Sequence, residues 1–162
     1  MFVCLFPGCS NYRTLSESDR NKNFLNKAVL KCDSSLRRAW YRFVGAAGKQ
    51  MPTQCVPKYH CGTHAAGWIN GSHPTVAQGI VQRTVCFSWT SGCCQWSRVI
   101  RVQNCGAFFV YEISGTPGCH FRYCGEGLGT VFYKVYAVIS TSINCFTFST
   151  LLFRVFICTC GS

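Results

Sequence analysis

Acidic side chains are scarce in this chain. Asp and Glu together number five among 162 residues, against sixteen Lys and Arg, and the formal net charge at pH 7 is +11. Paired carboxylates that share acid–base catalysis are therefore not expected. The basic residues are dispersed, and only Arg37 and Arg38 are adjacent. Because a nucleic-acid site needs a clustered basic surface, we predict no nucleic-acid partner; a weak attraction to anionic glycans or membrane surfaces fits the charge better.

The chain also lacks a Gly-rich phosphate-binding loop and the paired Cys-x-x-Cys motifs that are typical of structural zinc sites. A structural zinc ion needs four Cys or His ligands in tetrahedral geometry, and here such residues are scattered. We therefore predict no metal, no cofactor and no enzymatic activity. An intracellular Cys/His metal-binding protein is the alternative of another class. The candidate ligands under that alternative are Cys61, Cys119, Cys124, His60, His64 and His120.

Cysteine, in contrast, is abundant. Fourteen of the 162 residues are cysteine, and a share of about 9 % is typical of a small domain held together by disulfides. Because disulfides persist only in oxidising surroundings, we predict an extracellular or cell-surface domain made in the secretory pathway. Ten cysteines share one span and are predicted to form disulfides: Cys9, Cys32, Cys55, Cys61, Cys86, Cys93, Cys94, Cys105, Cys119 and Cys124.

The chain holds a single N-glycosylation signal, Asn70-Gly71-Ser72. Such a triplet is used only in the secretory pathway, which agrees with the cysteine content. Gly71 favours a turn and Pro74 ends any strand, so the Asn70 side chain is expected to be exposed. We predict that Asn70 carries a glycan.

Two of the cysteines, Cys93 and Cys94, are adjacent. Neighbouring cysteines rarely bond each other, because the small ring would strain the bridge. They are expected to reach two different segments, which would make the turn at residues 90–92 a hub of the disulfide network. The pairing itself does not follow from spacing, since ten cysteines allow on the order of 900 connectivities.

Segments rich in Val, Ile, Phe, Tyr and Trp alternate with Gly and Ser, a pattern typical of strands. Short connections between them favour antiparallel pairing. We predict a small disulfide-rich, mainly β fold of antiparallel strands with long irregular loops, and we expect Trp68 and residues 108–111 in its core. The predicted strands are residues 39–44, 80–89, 96–104 and 107–114.

Three regions follow from the composition. Residues 1–8 form an N-terminal stub that resembles the end of a signal peptide but lacks its basic start, so a truncated or wrongly assigned start is expected. Residues 9–124 form the ten-cysteine domain. Residues 125–162 form an apolar tail.

Three interpretations of the tail remain open. Residues 135–153 carry no charge over 19 residues, just enough to cross a bilayer, but seven of them are Ser, Thr or Asn, which makes insertion marginal. The second interpretation is translated non-coding sequence, because Gly125-Glu126 is encodable by GGT-GAG, which contains the usual start of an intron. The third is a buried strand pair.

The ten cysteines and the motifs between them resemble a known family. The matching motifs include residues 39–45, 55–57, 68–74 and 79–81, followed by Cys93-Cys94, Trp96, Val110-Tyr111, Cys119-His120 and Tyr123-Cys124. Together they resemble the cysteine-rich domain that precedes the zona pellucida module in the family of uromodulin and pancreatic glycoprotein 2, with a similar domain in oncoprotein-induced transcript 3 protein. The resemblance covers residues 9–124 and all ten cysteines.

The resemblance implies a β-rich, non-enzymatic extracellular glycoprotein module for interaction or display, in host defence or matrix. A membrane-tethered adhesion or receptor module is the alternative if the tail is genuine. The family's bridges would fall as Cys9–Cys105, Cys32–Cys119, Cys55–Cys93, Cys61–Cys124 and Cys86–Cys94.

The partners that the family implies are extracellular proteins or glycans, including microbial adhesins that bind a mannose-rich glycan. The uromodulin sequon for that glycan matches Glu112-Ile113-Ser114 here, so no glycan attaches at that position. Only Asn70 matches a family glycosylation site, and adhesin binding would depend on its glycan.

Overall fold

Seven strands form one sheet in the computed structural model, which describes residues 7–128, 145–150 and 153–158. A short helix, Pro7–Ser10, precedes them. The strands are β1 (Arg13–Leu15), β2 (Ala39–Phe43), β3 (Ala65–Asn70), β4 (Ile80–Trp89), β5 (Gly92–Asn104), β6 (Phe109–Ile113) and β7 (Phe121–Tyr123). Three short 3-10 turns lie at Ser18–Arg20, Gly45–Ala47 and Val76–Gln78.

The sheet order is β1-β2-β6-β5-β4-β3-β7. Four of its six neighbouring pairs are antiparallel, and the two edge pairs, β1–β2 and β3–β7, are parallel. The mainly β, disulfide-rich fold is thus confirmed, and its pairing is mostly antiparallel as predicted. The parallel edges differ from the prediction because each three-residue edge strand comes from a distant segment rather than from a hairpin.

The longest pairing is the hairpin of β4 and β5. β-branched and aromatic residues of β4 alternate between its two faces, as the period of a strand requires. Val85 and Phe87 face one way and are buried in the main core. Cys86 faces the other way and belongs to a smaller cluster. The side that carries the main core is called the core face here, and the opposite side the outer face.

The main core holds Tyr41, Phe43, Met51, Ile69, Val85, Phe87, Val102, Tyr111, Ile113 and Tyr123. The smaller cluster packs around two disulfides and holds Val56, Cys61, Ala66, Trp68, Cys86 and Cys124. The predicted core position of Trp68 is seen, because its side chain is only 8 % exposed. Within residues 108–111, Val110 and Tyr111 are buried, whereas the two phenylalanines are half-buried.

A buried ion-pair network joins the loop before β2 to strand β7. Arg20 donates to both carboxylate oxygens of Asp33, at 2.6 and 2.9 Å, and Asp33 also accepts from the Tyr123 backbone at 2.9 Å. Arg122 lies 4.0 Å from the same carboxylate. Burial lowers the pKa of Arg20 by itself, but Asp33 and Glu17 more than offset it, so the pKa is raised. Arg20 therefore stays charged inside the fold.

Backbone pairing of the module continues past Cys124, where the predicted domain ended. The Gly125 carbonyl accepts from the Lys22 backbone at 2.7 Å. Glu126 exchanges backbone bonds with Lys49 and Gln50, at 2.9 and 2.7 Å. Residues 125 and 126 therefore pair with loop segments of the module, although the composition changes at this point.

The chain divides into two compact units, Met1–Val131 and Phe132–Ser162. In the second, β8 (Cys145–Thr150) and β9 (Phe153–Cys158) pair antiparallel. The candidate membrane segment, residues 135–153, lies mostly outside the described residues, and the part that is described is strand. Among residues 7–128, 145–150 and 153–158, no helix is long and apolar enough to cross a membrane.

Candidate functional site

Five disulfides fix the loops around the sheet. The pairs are Cys9–Cys105, Cys32–Cys119, Cys55–Cys93, Cys61–Cys124 and Cys86–Cys94. They are the pairs implied by the family resemblance. The adjacent cysteines at the start of β5 are divided between two partners, one in the loop before β3 and one on β4. The hairpin turn thus joins three segments of the chain.

Trp68 connects this hub to strand β3. Its indole N–H donates to the Cys93 carbonyl at 2.8 Å, while its ring packs with Cys86 in the smaller cluster. A buried indole needs such an acceptor, because an unpaired polar group inside the fold is costly. This bond therefore joins strand β3 to the start of strand β5.

Asn70 is the last residue of this strand. The five residues before it are all buried, whereas Asn70 itself is exposed, as predicted from the turn residues that follow. It lies opposite Thr84 of β4. The next residue, Gly71, has a φ of 128°, which residues with a side chain rarely adopt. The chain therefore turns away from the sheet immediately after the asparagine.

The turn after Asn70 is held by side chains from three strands. Arg83 Nε donates to the Ser72 carbonyl at 2.7 Å, and the Asn104 amide donates to the Pro74 carbonyl at 2.8 Å. His73 lies against Phe109, with ring centroids 4.3 Å apart. The glycosylation triplet is thus attached to a rigid part of the sheet.

His73 also makes a buried hydrogen bond. Its Nε2 lies 2.8 Å from the hydroxyl of Tyr111, which in turn accepts from the Met51 backbone at 2.9 Å. The Tyr111 hydroxyl has its own proton and a second lone pair, so it can donate to or accept from the His73 ring, depending on the tautomer. Burial lowers the pKa of His73 from 6.5 to about 4, with nearby Arg83 acting in the same direction. No local sequence pattern indicates this bond, since it joins residues 38 apart.

The surface beside Asn70 is polar and shallow. Gln82, Thr84 and Val99 line a groove of about 280 Å³ next to it. Farther along the outer face, Glu112 stands where the resemblance places the uromodulin sequon. Its carboxylate accepts from Arg101 at 2.5 and 2.7 Å. Hydrogen bonding to Arg101 is the main cause that lowers the pKa of Glu112 to about 2.

The candidate metal ligands are not brought together. Cys61, Cys119 and Cys124 are all in disulfides, and His60 Nδ1 lies 2.6 Å from the Lys22 carbonyl. The rings of His64 and His120 lie 5.2 Å apart. In the part of the chain that the structure describes, no three His, Cys, Asp or Glu side chains are grouped to hold a metal ion.

Sheet, bridges and exposed asparagine define a small disulfide-stabilised β module with one candidate glycosylation site. The chain belongs to the family of uromodulin-like cysteine-rich domains, whose profile matches residues 41–125. The resemblance inferred from the motifs is thereby confirmed. Eight of the ten bridged cysteines fall inside the match, and three bridges lie wholly within it.

Individual proteins of this family also match the chain in sequence. The chain is 47 % identical over 122 residues to the pancreatic secretory granule membrane major glycoprotein GP2 of Canis lupus familiaris, a match that covers 75 % of this chain and 24 % of the relative. It is 42 % identical over 125 residues to uromodulin of Mus musculus, covering 76 % of this chain and 19 % of the relative. The chain thus spans a quarter or less of these relatives.

Proposed function

We propose that this chain is a non-enzymatic extracellular module that displays an N-glycan from Asn70 for interaction with other molecules. The observation that carries the proposal is the position of Asn70, exposed at the end of a strand whose other five residues are buried. The bonds from Arg83 and Asn104 to the following turn support it. A glycan attached there would project from a rigid base.

Two further observations support an extracellular or cell-surface location. The five disulfides suit only an oxidising compartment. One relative is named a secretory granule membrane glycoprotein. The metal-binding alternative requires free thiols at positions that are bridged here. Non-reducing peptide mapping after secretion discriminates the two: we expect no free thiol between Cys9 and Cys124, and two or more would contradict the extracellular proposal.

The glycan is tested with a matched pair of substitutions. Ser72→Ala removes the acceptor signal and leaves Asn70 in place, whereas Ser72→Thr retains the signal. In secreting eukaryotic cells, the parent chain and Ser72→Thr should show a glycosidase-sensitive mass shift that Ser72→Ala lacks. The Arg83 bond reaches the Ser72 backbone, so neither change removes it. A parent chain without the mass shift would show that the site is silent.

Microbial adhesins are the proposed partners that the glycan would serve, and we expect weak binding. Asn70 is exposed, so processing enzymes should reach the glycan and remove the mannose-rich form. Linked sites raise avidity by ~10²–10⁴ over single ones, and one site per chain gives no such gain. Glycopeptide mass spectrometry at Asn70 with a pull-down by a mannose-binding fimbrial adhesin tests this. Strong capture that Ser72→Ala abolishes and Ser72→Thr retains would reverse our expectation.

A further inference from the structure

A cleft of about 540 Å³ opens on the core face at the end of the β4–β5 hairpin. Its wall is mainly apolar and includes Phe87, Trp96, Pro117, Gly118 and Phe121, with one charged residue, Arg98. We call it the aromatic cleft. Its volume lies within the range of small-molecule sites, roughly 300–1,000 Å³, which also combine apolar walls with a few polar groups.

Three aromatic rings shape the wall. Phe121 stands edge-on to both Trp96 and Phe87, with ring centroids 5.1 and 5.0 Å apart. Phe87 is buried, but Trp96 is 40 % exposed, although it lies opposite Phe87 on the core face. The main core therefore opens to solvent here, and apolar ring surface is left to be covered.

Arg98 supplies the only charge of the wall. Its guanidinium donates to the Gly115 carbonyl at 2.5 Å and to the Ser114 hydroxyl at 2.7 Å. A guanidinium has five N–H groups, so others remain for an anion. No carboxylate of the described residues lies within ion-pair distance of Arg98, because the five acids of the chain pair with other bases: Glu17, Asp19, Asp33, Glu112 and Glu126.

We propose that the aromatic cleft binds a small free organic acid with an apolar or aromatic body and one carboxylate or sulfonate. The body would cover the ring surface of Trp96 and Phe121, and the anion would bind the spare N–H groups of Arg98. An uncharged ligand would leave the guanidinium without a counter-charge in a largely apolar cleft. The site lies on the opposite face of the sheet from Asn70, so it does not depend on the glycan.

The probe is anilinonaphthalene sulfonate, titrated against the full secreted chain and followed by fluorescence. We expect saturable binding at one site. N-phenylnaphthylamine, a closely related aromatic body without the sulfonate, should bind about tenfold more weakly, as expected for loss of one charge-assisted hydrogen-bonding contact. Equal binding of the two dyes would overturn the proposal, and so would a sulfonate signal that does not saturate.

Substitutions locate the site. Gly118 has no positive φ, and an added Cβ would meet only Phe121, at 3.8 Å, so Gly118→Leu should fill the cleft without strain and abolish binding. Trp96→Ala, at an exposed position, removes part of the wall and should weaken binding as well. Arg98→Gln should weaken the sulfonate dye about tenfold, whereas Arg13→Gln, on edge strand β1, should not. Binding that both cleft-wall variants leave unchanged would overturn the proposal.

Competition tests the class of ligand. Laurate, a free apolar carboxylate, should displace the dye from the parent chain. A short peptide that ends in phenylalanine with a free carboxylate should not. Displacement by the peptide alone would overturn the proposal and favour the chain terminus of a protein partner. Displacement by neither compound would also overturn it, because the cleft would then bind only the dye.

Discussion

Asp33 is the residue on which the buried charges depend. Its side chain and that of Arg20 are 2 % and 3 % exposed, and Arg122, also nearly fully buried, lies beside it. Taking charges out of water is costly, and the cost is recovered only when their partners are present. Asp33 also accepts from the Tyr123 backbone, so it fixes edge strand β7 as well as the two guanidiniums.

We predict that Asp33→Asn lowers the free energy of unfolding by ~3–5 kcal/mol, because it removes the fully buried counter-charge and leaves Arg20 and Arg122 only their less buried carboxylate partners. Glu17→Gln is the matched control, since Glu17 also pairs with Arg20 but its side chain is 46 % exposed. We expect it to cost at most about 1 kcal/mol. Urea unfolding of the secreted chains measures both. Similar losses in the two variants would show that the network does not depend on the buried carboxylate.

His73 should make stability depend on pH. Its pKa is about 4 in the folded state against 6.5 ordinarily, so between these values the unfolded chain binds more protons than the folded one. The contribution of His73 to the free energy of unfolding is therefore fully present above pH 6.5 and is lost as the pH falls toward 4. After allowance for solvent screening at this half-buried ring, we expect a loss of about 1–2 kcal/mol.

The measurement is the urea midpoint at several pH values, for the parent and for His73→Gln. Glutamine retains an acceptor for Tyr111 but does not titrate. The variant should therefore lose less stability than the parent between pH 6.5 and 4. Parallel curves for the two proteins would exclude His73 as the source of the pH dependence.

At the scale of elements, the five disulfide bridges should contribute different amounts to the free energy of unfolding. Cys86–Cys94 spans 8 residues within one hairpin, whereas Cys9–Cys105 spans 96. In the chain-entropy account, an isolated bridge of these lengths contributes roughly 2–3 and 4–5 kcal/mol. The other bridges shorten the longer loop, but its shortest path through Cys32–Cys119 still exceeds the hairpin loop several-fold.

We therefore expect the double variant Cys9→Ala/Cys105→Ala to lose more stability than Cys86→Ala/Cys94→Ala. Each removes both sulfurs of one bridge, so no free thiol is left to exchange. Urea midpoints of the secreted proteins give the comparison. The opposite order would mean that the buried sulfur of Cys86, in the cluster with Trp68, matters more than chain entropy.

Strands with a local signal were predictable, and strands without one were not. The prediction of residues 80–89 matches β4, because Val, Phe and Trp alternate there. β3 was not predicted, since half of its residues are Ala or Gly and its strand conformation depends on pairing with β4 and β7. β1 and β7 have three residues each. Such short segments become strands only because they pair in parallel with distant partners. A local sequence pattern carries no information about that pairing.

The candidate site was predictable to the same degree. The triplet at Asn70 and the turn residues after it indicated an exposed asparagine, and the structure places it so. The bonds that hold the turn come from β4 and β5, and no local sequence pattern indicates that these strands lie beside it. The aromatic cleft is not predictable from the sequence for the same reason, since Trp96 and Phe121 come together only in the folded sheet.

At the scale of the whole molecule, we predict that residues after Leu128 are dispensable for the module. The last backbone pairings described for it are those of Gly125 and Glu126, and the Asn21 side-chain amide also donates to the Gly127 carbonyl at 3.5 Å. A chain that ends at Leu128 should secrete as a monodisperse, oxidised protein. If only the full-length chain secretes, the tail has a structural role.

A chain that ends at Cys124 is the matched control. It retains every bridged cysteine but loses four backbone hydrogen bonds of Gly125 and Glu126. At about 0.5–1.5 kcal/mol each, we expect a loss of roughly 2–6 kcal/mol relative to the chain that ends at Leu128. Equal urea midpoints would place the end of the module at its last cysteine.

The order of the bridges along the chain has a consequence for biosynthesis. The first four cysteines of the module, Cys9, Cys32, Cys55 and Cys61, all bond partners at or beyond Cys93. A chain that enters an oxidising compartment from its N-terminus exposes these thiols before any native partner has arrived. Bonds formed among them in that interval are non-native, and they are corrected only by thiolate attack on a disulfide. Maturation of this module should therefore be limited by disulfide exchange and depend on an isomerase.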